Sequence, residues 1–207
     1  MPLQQAPALK CEKVLQAIDL INSKDENTTI LADKEYPKEL LYGHLMTECL
    51  MKYWPQANPP LQIAVRAQHI KRWHFKRVDF PAGKAGYYQW RIALGKFHAE
   101  LASTIMIEEG FSEQEANQTA SMIRKENLQL GGDSQTLEDV ACLVFLQHYF
   151  NDFAAKYTGS IEGEVKIINI VKRTWGKMSH EAHEIALSLT LPAHLSALVE
   201  KALSADG

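Results

Sequence analysis

The sequence predicts an all-α protein, and three observations carry that prediction. Apolar residues recur at three- and four-residue spacing along most of the chain, the period of one helix face. No segment alternates apolar and polar residues as a half-buried strand does, and no internal repeat is present. Proline and glycine clusters mark the breaks between the periodic segments.

Each element follows from local chemistry. Cys11, Val14, Leu15, Ile18 and Ile21 form one apolar stripe, and the polar run Asn22 to Asn27 ends that helix. Pro37 suits a first helical turn and opens a second helix to about Trp54. Pro55 and Asn58-Pro59-Pro60 make a turn, and a third helix runs from Pro60 to Trp73, so that Arg66, His69 and Trp73 share a face. An irregular loop, Phe75 to Gly86, precedes a long helix from Tyr87 to Glu109 that stops at Gly110. Ser112 with Glu115 forms a capping box for the fifth helix. After Gly131-Gly132 a sixth helix runs from Ser134 to Tyr157. It is apolar almost all round from Val140 to Leu146, the pattern of a bundle centre. Beyond Gly159 to Gly163 come helices at Glu164–Lys177 and Ser179–Leu189, and a short one after Pro192. This reads as one helical domain over 1–160, with residues 161–207 as C-terminal helices packed on it.

Composition narrows the function. A chain of 207 residues with 46% hydrophobic and 23% charged residues is an ordinary globular sequence. Its net charge of −3 argues against coating long duplex nucleic acid. Cys11, Cys49 and Cys142 lack metal-ligand spacing and sit in apolar helical patterns, so they read as buried free thiols of a reducing compartment. With no signal-peptide pattern at the start and no apolar run long enough to span a bilayer, the expected location is cytoplasmic, away from the membrane.

The segment Arg66 to Lys96 departs from this average. It carries +7 while the rest of the chain carries −10, and it holds Trp73, Phe75, Phe80, Tyr87, Tyr88 and Trp90. Crowding like charges costs folding free energy, which a chain tolerates where an anion is to sit. Arg66, Arg72, Arg77, Lys84 and Arg91 are the expected anion-binding residues, because guanidiniums grip phosphate or carboxylate at two points. His69 and His98 face the same region, as acid or base candidates. Asp139 enters the greasiest helix with Cys142, Leu143 and Leu146 on its face, and a buried carboxylate needs a partner. His180 and His183 lack HExxH spacing.

The order His44, His69, His98, Asp139 on successive helices resembles the HD-domain superfamily of helical metal-dependent phosphohydrolases. That resemblance implies an HD-domain-like bundle and a metal site built from His44, His69, His98 and Asp139. Ile70 stands where the superfamily has the aspartate that bridges two ions, so one divalent ion (zinc, manganese or iron) is implied. The runs QHIKRW (Gln68 to Trp73), GYYQWR (Gly86 to Arg91), FHAE (Phe97 to Glu100), QTLEDVACLVFL (Gln135 to Leu146) and KMS (Lys177 to Ser179) resemble a family catalogued only as domain of unknown function 4202. The expected function is a metal-dependent phosphohydrolase acting on a small phosphate-bearing molecule or nucleotide, with His69, His98 and Asp139 as its catalytic residues. The alternatives are a non-catalytic module binding a nucleotide, an anion or single-stranded nucleic acid on the same surface, or a scaffold whose basic face meets an acidic helix.

Overall fold

The computed structural model describes residues 5–126 and 131–204; the first four residues of the N-terminal reading lie outside them. The described residues are mostly helical, as the period predicts. Helices α1 (Gln5–Asn22), α2 (Lys38–Tyr53), α3 (Pro59–Ala67), α4 (Gly83–Glu108), α5 (Glu113–Ile123) and α6 (Asp133–Val144) are followed by α7 (Phe150–Ala155), α8 (Ile161–Trp175), α9 (His180–Ser188) and α10 (Ala193–Ser204). The chain divides into two compact units, Met1–Leu137 and Glu138–Gly207. The division falls inside α6, upstream of the 160/161 boundary read from the sequence.

In the first unit α3 packs against α1, α2, α4 and α5. Its start is built by Pro59 and Pro60, whose missing N–H groups cost nothing in a first turn, and by Asn58, whose side chain accepts from the Leu61 N–H. Leu61, Ile63, Ala64, Val65 and Ala67 are all buried, and each large apolar side chain so placed contributes roughly 1.5–3 kcal/mol. The middle of this unit is therefore α3. The Val140–Leu146 segment is buried at every position but Ala141 and Phe145, yet it runs from the division onward into the second unit.

Four local differences from the sequence reading have physical causes. A two-stranded antiparallel hairpin, β1 (Thr28–Leu31) with β2 (Lys34–Pro37), fills the gap before α2. Its turn residues Ala32 and Asp33 both have positive φ, 49° and 61°, and Ala is not a residue that signals such a turn. Next, α3 ends at Ala67 rather than Trp73, and the chain passes through a left-handed Lys71 into a short 3-10 turn, Arg72–His74. Third, α4 begins at Gly83, earlier than expected. Last, a π turn at Phe145–Tyr149 interrupts the expected long sixth helix.

The second unit packs α10 on α8 and α7. Ser160 caps α8 through Gly163 N–H, and Ser179 caps α9 through Ala182 N–H. All three cysteines are free and buried, as read from their apolar surroundings. Burial pushes the Cys11 thiol up to about 11 and the Cys49 thiol up to about 12, which keeps both protonated and inert. Among the described residues no helix is long and apolar enough to cross a membrane.

Gly86 sits in the first turn of α4 where a Cβ would lie 1.8 Å from the Pro81 carbonyl oxygen. Gly86→Ala is expected to lose about 2 kcal/mol through overpacking, seen as a drop of roughly 4–8 °C in Tm. Gly95→Ala, whose Cβ would meet nothing closer than 3.9 Å, should leave Tm unchanged or raise it. Thermal unfolding of the two variants checks this.

Candidate functional site

The site lies in the first unit and is organised by Asn22, the buried last residue of α1. Its side-chain oxygen accepts from the Lys71 N–H (2.9 Å), and its amide donates to the Glu39 carbonyl (3.4 Å). Ile70, fully buried beside Lys71, holds the turn from the apolar side. Asp25 accepts from the Glu39 N–H at 3.1 Å, so the start of α2 is bound from both ends of its peptide.

Glu39, His69 and Arg72 meet as a result. The His69 Nδ1–H donates to Glu39 Oε2 (3.1 Å), and Arg72 Nη1 donates to His69 Nε2 (2.6 Å). A guanidinium has only donors, so His69 Nε2 must be the acceptor and the ring must be neutral. Burial, and then the charges of Arg72 and Arg91, hold His69 well below the usual imidazole range. Burial pushes the Glu39 carboxyl upward, against the pull of Arg72, Lys38 and His98. Tyr42 stacks on His69 with centroids 4.1 Å apart and donates to Gln68 Oε1 at 2.7 Å. Arg72 also lies 4.9 Å over the Trp90 ring.

His98 comes from the middle of α4, its ring 6.2 Å from that of His69. It is buried and hydrogen-bonded to the Gln68 backbone, while its Nε2 has no partner among the described residues. Burial, followed by the charge that a protonated His69 would place beside it and by the Arg72 guanidinium, drops its pKa to about 3, so it too is neutral at ordinary pH.

Both imidazoles line a cavity of about 400 Å³. Arg72 enters it from the turn, Arg91 and Lys96 from α4, and Arg124 and Lys125 from the end of α5. Glu126 is the one acidic residue in the lining, and it accepts two hydrogen bonds from Arg124 (2.7 and 3.0 Å). The result is a pocket of cationic donors over two uncharged imidazoles, a surface complementary to a compact anion.

The expected residues are distributed as follows. Arg72, Arg91, His69 and His98 are brought together on this cavity. Arg66 lies off it, pairing with Asp19 (2.9 Å) and donating to Thr47 (2.8 Å). With α3 ending at Ala67, the helical face expected for Arg66, His69 and Trp73 does not form. Arg77 donates to the carbonyls of Phe80, Pro81 and Gly83, tying the Phe75–Gly86 loop together. Lys84 lies 5.9 Å over Tyr88. His44 is exposed and pairs with Asp19 at 3.0 Å. Asp139 belongs to the second unit, where it accepts from the Ser179 N–H (2.8 Å) and hydroxyl (2.6 Å). There its negative charge sits at the N-terminus of α9. In the same unit Trp175 stacks face to face on His183 at 4.0 Å.

A metal held by His44, His69, His98 and Asp139 does not fit these partners. His69 uses one ring nitrogen on Glu39 and faces a guanidinium with the other, and His44 and Asp139 are engaged elsewhere. Among the described residues no group of three or more His, Cys, Asp or Glu side chains is arranged to hold a metal ion. Asn22, Glu39, Arg124 and Lys125 were not foreseen. The sequence signal for Glu39 was weak, because an acid in a first helical turn is favourable anyway. Arg124 and Lys125 lie outside the charge-rich segment.

Fold and site thus define a helical protein with a basic cavity lined by two neutral imidazoles. The chain belongs to the family described as domain of unknown function DUF4202, whose model matches residues 12–199. No curated protein and no solved structure matches it.

Two outcomes are expected. Asp139→Ala removes both acceptors from Ser179 and should cost about 2–4 kcal/mol, read as a lower urea midpoint, with Asp139→Asn intermediate. For pH, the unfolded chain protonates its histidines near 6.5, whereas folded His98 stays neutral down to about 3. The unfolded state binds more protons in that window, so stability falls as pH drops from 6.5 toward 3. His69 acts in the same direction, and Glu39, raised by burial, acts in the opposite one. Urea midpoints from pH 7 to 4 should fall in the native sequence and fall less steeply in His98→Gln.

Proposed function

We propose that this cavity binds a small phosphate-bearing molecule and that His69 serves there as a general base, in the manner of a phosphohydrolase. One observation carries the reading: Arg72, Arg91, Lys96, Arg124 and Lys125 line a single cavity with the neutral, Glu39-oriented His69. Arginines supply two-point contacts to phosphate oxygens, and the lysines add point charges. Glu39 fixes the ring so that Nε2 carries the lone pair. A bound phosphate draws the Arg72 guanidinium onto its own oxygens, which frees Nε2 to take a proton from an attacking water or hydroxyl.

The short Arg72–His69 contact favours a second reading, a binding module in which His69 only positions Arg72. Calorimetry with inorganic phosphate and a set of sugar phosphates and nucleotides, followed by a turnover screen of those that bind, separates the two. Arg91→Ala and Arg72→Ala are expected to weaken binding about 10- to 100-fold. His69→Asn should abolish turnover while retaining binding. Binding without turnover leaves the module, and absence of binding by every phosphate-bearing molecule overturns both.

A further inference from the structure

Arg72 lines a second cavity of about 370 Å³, where Trp73, Phe75 and Trp90 stand among the polar and charged Asp25, Asn27, Lys38, Glu39, Lys76 and Arg77. The guanidinium is therefore shared by the basic cavity and by a second one that carries three aromatic rings. Two of the three rings are committed. Trp90 donates its indole N–H to the Phe75 carbonyl at 2.9 Å and carries Arg72 over its face. Phe75 packs edge-on against Phe80 and Phe97. Trp73 differs: it is half-buried on the cavity wall, with no ring partner and no acceptor for its N–H among the described residues. Trp73 thus lines, with a ring and an N–H that no other described residue engages, a cavity that shares Arg72 with the anion-binding residues. Each chamber is of small-ligand size, and the two meet at one side chain.

We propose that the phosphate-bearing ligand is a nucleoside monophosphate, its phosphate in the basic cavity and its base stacked on Trp73 in the second. This rests on the phosphate reading above. Base stacking on an aromatic side chain is tolerant of base identity, so the site selects for a ring rather than for one base.

The test is calorimetry on the full chain with AMP, ribose 5-phosphate and inorganic phosphate, in the native sequence, Trp73→Leu and Trp73→Phe, with Tm confirming that each variant folds. AMP is expected to bind native protein about tenfold or more tighter than ribose 5-phosphate. Trp73→Leu should erase that advantage and leave ribose 5-phosphate affinity unchanged, while Trp73→Phe, which keeps a ring, retains most of it. Equal affinity for AMP and ribose 5-phosphate, or an advantage that survives Trp73→Leu, overturns the base placement and leaves the phosphate reading standing. Failure of all three to bind removes both.

Discussion

The site depends on one buried amide. Asn22 uses its oxygen on the Lys71 N–H and its nitrogen on the Glu39 carbonyl, joining the two segments through both groups of one amide. Lys71 must adopt a left-handed conformation to present that N–H, at a cost of about 1–3 kcal/mol for a residue with a side chain. The part-buried hydrogen bond to Asn22 and the burial of Ile70 offset it. Because the turn is held there, His69 and Arg72 leave the course of α3 and swing toward α2, where Glu39 waits.

The same geometry explains how so many like charges are tolerated. Arg66, Arg77 and Arg124 are each satisfied locally, by Asp19, by loop carbonyls and by Glu126. Arg72 is the cation that comes closest to the buried acid, with Nε 3.9 Å from Glu39 Oε1. Both imidazoles escape adding to the positive field by staying neutral, which the surrounding cations and the burial enforce together. A cavity lined by exposed Arg91, Lys96 and Arg124, with uncharged acceptors beneath, stays cationic overall without placing a bare charge in the core.

Much of the helical layout was legible because apolar period and turn chemistry agree: Asn58-Pro59-Pro60 and Ser112 with Glu115 start helices as their types dictate. The hairpin was hidden because Ala32-Asp33 lacks the glycine or asparagine that usually marks positive φ. The end of α3 was hidden because Gln68 to Trp73 keeps a helical polarity, and nothing local announces that Lys71 turns left-handed. The charge excess of residues 66–96 was visible in the sequence, and it did lead to Arg72 and Arg91. Pairing was invisible, since it is set by residues far along the chain. Asp139 was expected to need a partner, and Ser179, forty residues on, is one, in a KMS run whose local sequence gives no hint that its backbone N–H and hydroxyl donate to a carboxylate.

Arg72 is where the two chambers become one system. In this state it is held by a short bond to His69, a long ion pair to Glu39 and the face of Trp90. None of these is a two-point contact to a dianion, and a phosphate offers one. An anion in the basic cavity therefore competes for Arg72 against a neutral imidazole, and any movement of the guanidinium uncovers the His69 lone pair and alters what lies over Trp90. In the proposed reading, occupancy of one chamber, basicity at His69 and the shape of the other chamber would be linked through that single side chain. The linkage works only by the difference in Arg72's affinity for its present partners and for the anion. Evenly matched partners would leave the three uncoupled.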